Sequence, residues 1–232
     1  VELGGGPGGG VLHSQSSDDG VTWTDPGLIL ENVDGGPAVV AQYPPQIVTD
    51  HAGTWIAVWQ SCCAGVGPTG NDSDILFARS TDNGATWTTA APLNSWATTD
   101  NTDTYPENWD WYPVAAVDSH GTWLVTWHSG TDHGGSGTDG DVWIVRSTNY
   151  GVTWTEPVLV NAVGTTDSGA DAVATFATDE NGNWIVLWSS NDTFGSTAGP
   201  DVEPLIAQFA TPDCNENFQN DTDDLVLGVS ID

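Results

Sequence analysis

Apolar and polar positions alternate in short runs along this chain, and the runs recur. HAGTWIAVWQS (51–61), HGTWLVTWHS (120–129) and NGNWIVLWSS (181–190) each open on a turn. Each then carries a tryptophan pair four residues apart: Trp55/Trp59, Trp123/Trp127 and Trp184/Trp188. A spacing of four fits a strand face as well as a helix face. The shortness of the runs, their β-branched content and the glycine before each predict strands. A further strand is predicted before each run, at 46–50, 114–118 and 172–179. Another follows the first two runs, in DILFARS (74–80) and DVWIVRS (141–147), and a closing segment such as WTEPVLV (154–160) completes the unit. No 3.6-residue pattern spans a unit, which excludes a helical solenoid.

The turn between the third and fourth strands holds the most regular element of the chain. It reads SSDDGVTW at 16–23, STDNGATW at 80–87 and STNYGVTW at 147–154, with Asp18, Asp82 and Asn149 spaced by 64 and 67 residues. A fixed period of this size marks an array of like units, none large enough to bury a core alone. Four-stranded units repeated radially are propeller blades. The expected fold is therefore all-β, a β-propeller of four-stranded antiparallel blades, about three and a half in this chain. Residues 11–30 supply the last two strands of one blade, 42–93 and 111–160 two full blades, and 171–211 three strands of another. Within the turn, Asp18 and Asp82 are placed to accept backbone N–H groups, and Asn149 can do the same without a charge. Gly20, Gly84 and Gly151 allow positive φ, and Trp23, Trp87 and Trp154 pack beneath. The motif reads as a fold staple.

These strings resemble the Asp-box (BNR) repeats of sialidase-like β-propellers, over about residues 11–213. The resemblance implies a propeller fold, and Asp boxes occur in hydrolytic and non-hydrolytic members alike. Sialidases of the family hold the substrate carboxylate with three arginines and use an acid/base Asp and a Tyr–Glu nucleophile pair. This chain has only Arg79 and Arg146, both immediately before the turn motif, so an arginine triad cannot be formed within it. Family propellers usually have six or seven blades. An open arc leaves unpaired edges, so either the chain is part of a larger propeller or copies complete one another in a homo-oligomer or filament.

Charge narrows the partners. Asp and Glu number 32 against two Lys plus Arg, a formal charge of −30 over 232 residues. Such a surface repels phosphate backbones and anionic membranes, so no nucleic-acid partner is expected. No apolar run is long enough for a membrane-spanning helix. The chain contains no Met and begins at Val1, so either a leader was removed or the sequence is a piece of a longer protein. Cys62, Cys63 and Cys214 leave open a disulfide from Cys214 to one of the adjacent pair, or free or intermolecular thiols.

Three groups of residues are candidates for chemistry. At 213 the repeat breaks, dividing the chain into blades (1–212) and an acidic tail (213–232). Asp213, Asn215, Asn217, Gln219, Asp221 and Asp224 fall at positions 1, 3, 5, 7, 9 and 12 of an EF-hand-like loop. The tail resembles the calcium loop of dockerin modules at the C-termini of secreted proteins, implying Ca²⁺ and an extracellular location. Phe218 stands where that loop has Gly, and a solvated acidic tail is the other reading. Two more acidic clusters, NDSD (71–74) and TDGD (138–141), precede third strands and are Ca²⁺ candidates against solvated turns. The insert SWATTDNTDTYPENWDWYP (95–113) carries Trp96, Trp109, Trp111, Tyr105 and Tyr112, a possible stacking platform for a neutral glycan. Its Glu107 and Asp110 are the best carboxylate pair for glycoside hydrolysis, and blade or subunit packing is the competing reading. His128 and His133 flank SGTD as candidate ligands or bystanders. The function expected is a non-catalytic extracellular propeller serving assembly or surface adhesion. The alternative is a glycan-binding module or sialidase-like glycoside hydrolase.

Overall fold

The computed structural model describes residues 11–30, 45–62, 72–100, 110–160, 165, 168–179, 182–191 and 203–209. Tyr105, Glu107, Trp109, Cys63, Cys214 and the tail residues Asp213, Asn215, Asn217, Gln219, Asp221 and Asp224 lie outside them. The described residues form four antiparallel sheets. The first pairs β1 (Val11–His13) with β2 (Gly27–Leu30). The second runs in the order β3 (Gln46–Thr49), β4 (Trp55–Cys62), β5 (Ser73–Ser80), β6 (Ala91–Pro92). The third is β7 (Asp110–Val117), β8 (Trp123–Ser129), β9 (Asp141–Ser147), β10 (Val158–Leu159). The last is β11 (Asp171–Thr178), β12 (Trp184–Ser190), β13 (Glu203–Phe209). Sheets of two, four, four and three strands in chain order match the blade series read from the sequence.

The chain divides into two compact units, Val1–Pro113 and Val114–Asp232. In the first, Val11 packs with Ala57, Trp59, Leu76 and Ala78, so the face of one sheet is buried by the next. In the second, Leu124, Val142, Ile144 and Val160 meet Ala174, Trp184, Val186 and Trp188 from the following sheet. The Phe176 and Trp184 rings meet edge to face at 5.7 Å. Strand alternation explains the pairing of tryptophans. Residues two and four apart share a face, so Trp59, Trp123, Trp127, Trp184 and Trp188 are all buried. Each fully buried Val, Leu or Ile contributes about 1.5–3 kcal/mol.

Two turns, each built on an Asp or Asn side chain, close one end of each four-stranded sheet. Asp82 Oδ1 accepts the Thr86 N–H at 2.9 Å, its Oδ2 accepts the Thr86 hydroxyl at 2.6 Å, and Trp87 Nε1 donates to the Gly84 carbonyl at 3.1 Å. Asp18 repeats the same bonds to Thr22. Ser80 Oγ accepts the Gly84 N–H at 2.8 Å, as Ser16 and Ser147 do for Gly20 and Gly151. The second turn was not apparent as a device in the sequence. It joins the first and second strands, where Asp50 Oδ1 accepts the N–H groups of Ala52 and Thr54. Asp118 does the same for His120 and Thr122. The two turns touch in the first unit, where Asn83 N–H donates to the Gly53 carbonyl at 3.1 Å.

A candidate carboxylate site at the opposite blade end

Because both aspartate turns occupy one end of the strands, the second-to-third-strand loops and the connectors between blades fall at the other. Within the first unit that end gathers carboxylates. Asp72 directly precedes β5, Asp74 is its second residue, and Asp110 opens β7. Asp100 follows a 3₁₀ turn at Trp96–Thr98 in the connector after β6. One carboxylate oxygen from each of Asp72, Asp74 and Asp100 lies within 4.8 Å of the others. Asp72, Asp74 and Asp110 are buried, at 2%, 1% and 2% exposure. Ser73 Oγ donates to the Asp110 carbonyl at 3.1 Å, fixing the start of β7 against the start of β5.

Electrostatics there is one-sided. Burial, and then the charges of Asp110, Asp72 and Asp100, push the Asp74 carboxyl up to about 9. Burial and the Asp72 charge push Asp100 up to about 6. Asp74 Oδ2 is buried with no hydrogen-bond partner. The unit's one Lys or Arg is Arg79. It sits five residues along β5 from Asp74, roughly 16 Å away by strand rise. Such an arrangement either holds a proton on a carboxyl group at neutral pH or awaits a cation.

The sequence flagged parts of this cluster separately. NDSD supplies Asp72 and Asp74, and Asp110 came from the aromatic insert. Asp100 lies in the same insert without being marked by any motif, and only the path of the connector brings it to β5. The insert's aromatic residues divide. Trp111 and Tyr112 follow Asp110 directly, half-buried, with ring centroids 5.9 Å apart. Tyr112 is held at φ 53°, a left-handed conformation unfavourable for a bulky side chain. Trp96 stands half-buried at the 3₁₀ turn, its N–H donating to Asn94 Oδ1 at 2.8 Å. In the second unit, the equivalent strand starts place Asp141 and Asp171, both buried. His128 and His133 join no carboxylate or cysteine group of metal-ligand spacing among the described residues. Burial pushes both down to about 4, with Asp132 opposing the shift at His133.

A cleft lies at the aspartate-turn end of the first unit. It measures about 350 Å³ and is lined by His13, Gln15, Trp23, Ile47, Trp55 and Trp87 among others. Gln15 Nε2 bridges it to the Asn83 carbonyl at 3.1 Å.

No protein-family profile matches the sequence, and no curated protein matches it. Solved structures do match the fold. The GH93 α-L-arabinofuranosidase of Fusarium graminearum, in complex with arabinobiose, is similar at a TM-score of 0.55 and 16% identity, over 90% of this chain and 56% of that one. The α-L-arabinanase of Penicillium chrysogenum, complexed with arabinobiose, is similar at 0.53 and 16%, over 87% and 55%. A Hadza microbial sialidase is similar at 0.49 and 21%, over 74% and 35%. The chain thus spans just over half the length of the first two and about a third of the sialidase. The likeness to the arabinofuranosidase and the arabinanase establishes the fold: a series of β-propeller blades.

Proposed function

We propose that this chain supplies blades of a propeller that recognises neutral glycans at the blade end bearing Asp110, Trp111 and Tyr112. One observation carries the reading. A tyrosine held at φ 53° beside a tryptophan directly follows a buried aspartate, at the start of a strand. Backbone held in a disfavoured region concentrates at binding and catalytic sites. Aromatic faces and carboxylates are the groups that stack on and hydrogen-bond to sugar rings. The fold shared with the arabinofuranosidase and arabinanase supports the same class of ligand. A neutral glycan is favoured over a sialoside because the net charge of −30 repels anions. Arg79 and Arg146 also occupy equivalent positions beside the aspartate turns, each closing its strand with a threonine through Thr88 and Thr155.

The test is binding and turnover of neutral arabino-, xylo- and gluco-oligosaccharides by the full chain, followed by calorimetry and product analysis. Trp111→Ala is expected to weaken binding at least about tenfold, since stacking and apolar contact contribute on the order of 1–2 kcal/mol. Trp23→Ala, in the cleft at the other end, is expected to leave it unchanged. No binding to any neutral glycan, or binding that Trp23→Ala abolishes and Trp111→Ala spares, overturns the reading.

A second reading, assembly through blade faces, is favoured by a specific observation. Ile185 and Leu187 on β12 are 43% and 39% exposed, whereas their equivalents Ile56 and Val58 on β4 are fully buried. On β1, Leu12 is 46% exposed, whereas its equivalents Leu76 and Trp143 are buried.

A further inference from the structure

We propose that Asp72, Asp74 and Asp100 bind one Ca²⁺ ion that ties the blade connector to the start of β5. The inference does not rest on the glycan reading. Three carboxylate oxygens within 4.8 Å of one another already have the spacing of a shared ligand sphere. Oxygens bound to one Ca²⁺ at about 2.3–2.6 Å lie no more than about 5 Å apart. Asp74 is 1% exposed, and its Oδ2 is buried without a hydrogen-bond partner. A buried carboxylate oxygen left this way is costly unless a ligand satisfies it.

The unit offers no lysine or arginine at this end of β5. Arg79 is the only Lys or Arg in the unit and stands at the other end of β5. Asp110, also buried, adds further negative charge against Asp74. An all-oxygen, all-carboxylate donor set selects a hard cation over zinc or copper. The chain geometry gives the ion a mechanical consequence. Asp72 and Asp74 sit on the sheet, while Asp100 comes from the connector after the 3₁₀ turn. Binding would therefore cross-link the connector to the sheet beyond the point where buried Ala97 anchors it.

The experiment uses the full chain, stripped with EDTA and dialysed. Calorimetric titration with CaCl2 is run beside thermal unfolding with and without the ion. Saturable Ca²⁺ binding and a raised melting temperature are expected. Asp74→Asn and, separately, Asp100→Asn are each expected to lose one equivalent of Ca²⁺ and the stabilisation attached to it. Asp100 is only half-buried and lies in a connector, so its variant decides the matter if Asp74→Asn does not fold. Asp141→Asn, at the equivalent strand position of the second unit, and Asp221→Asn, in the acidic tail, are expected to keep that equivalent. Unchanged stoichiometry and affinity in both Asp74→Asn and Asp100→Asn would overturn the site. So would a parent chain that shows no saturable Ca²⁺ binding, or one that Mg²⁺ stabilises and Ca²⁺ does not.

Discussion

Asp82 and Asn149 occupy the same place in successive aspartate turns, and their hydrogen bonds differ in one polarity. Thr86 donates its hydroxyl to Asp82 Oδ2, whereas Asn149 Nδ2 donates to Thr153 Oγ1 at 2.8 Å. The threonine hydroxyl can rotate to serve either partner, so the turn survives loss of the charge. The charged versions respond to acid. Hydrogen bonds from the Thr22 side chain and backbone hold the Asp18 carboxyl down at about 2, and those from Thr86 do the same for Asp82. A depressed folded-state value means the contribution is present above the unfolded value of 3.8 and is lost as pH falls toward about 2. Urea unfolding across pH 2–5 should therefore show stability falling in that window. Asn149→Asp should steepen the fall by adding a third such group while leaving stability at pH 7 near that of the parent. An acid transition in Asn149→Asp that is identical to the parent's would contradict this account. The residues before the glycines are a separate matter: Asp19, Asn83 and Tyr150 all have φ near 60°. Asn and Asp tolerate that region and Tyr does not, so Tyr150 is held there by the turn around it.

Strands explain which substitutions should matter. Ile56 and Ile185 are chemically identical and hold the same place in their blades, yet one is fully buried and the other 43% exposed. Ile56→Ala should cost about 2–5 kcal/mol through lost burial and the cavity it leaves. Ile185→Ala should change stability by less than about 0.5 kcal/mol. Equal effects, measured by equilibrium denaturation, would mean the face of β12 is covered. This contrast also shows what the sequence could reveal. Repetition made the strands legible: Trp55/Trp59, Trp123/Trp127 and Trp184/Trp188 fix the second strand of each blade, and the aspartate turn fixes the third and fourth. Repetition could not reveal burial that depends on a neighbouring sheet, because Ile56 and Ile185 look alike in one dimension. The carboxylate site was half legible for the same reason. NDSD recurs as TDGD and so stands out along the chain, whereas Asp100 comes from a non-repeating connector. Tyr112 gave no sign of its left-handed conformation.

At the scale of the whole molecule, two apolar faces compete with a large negative charge. Leu12, Leu28 and Trp23 are exposed at 46%, 53% and 63% on the first sheet, and Ile185 and Leu187 on the last. Each internal junction described buries a leading blade face of the first kind against a trailing face of the second, with Leu76 and Val11 in one core and Trp188 and Val142 in the other. The two exposed faces are therefore complementary halves of one junction type. A head-to-tail pairing of copies would cover both, and such heterologous contacts either close into rings or extend. Opposing it is the formal charge of −30 on each copy, whose repulsion is screened beyond about 10 Å at 0.1 M salt. Association of copies should accordingly be weak at low ionic strength and strengthen as salt rises, the reverse of an interface built from ion pairs. Sedimentation velocity at low and high NaCl measures it directly. Leu187→Glu, at an exposed position, should abolish the salt-promoted species without lowering the melting temperature of the single chain, and Leu12→Glu should do the same from the other face. Sedimentation as a single chain at every concentration and salt level would exclude copies of this chain as the cover for these faces.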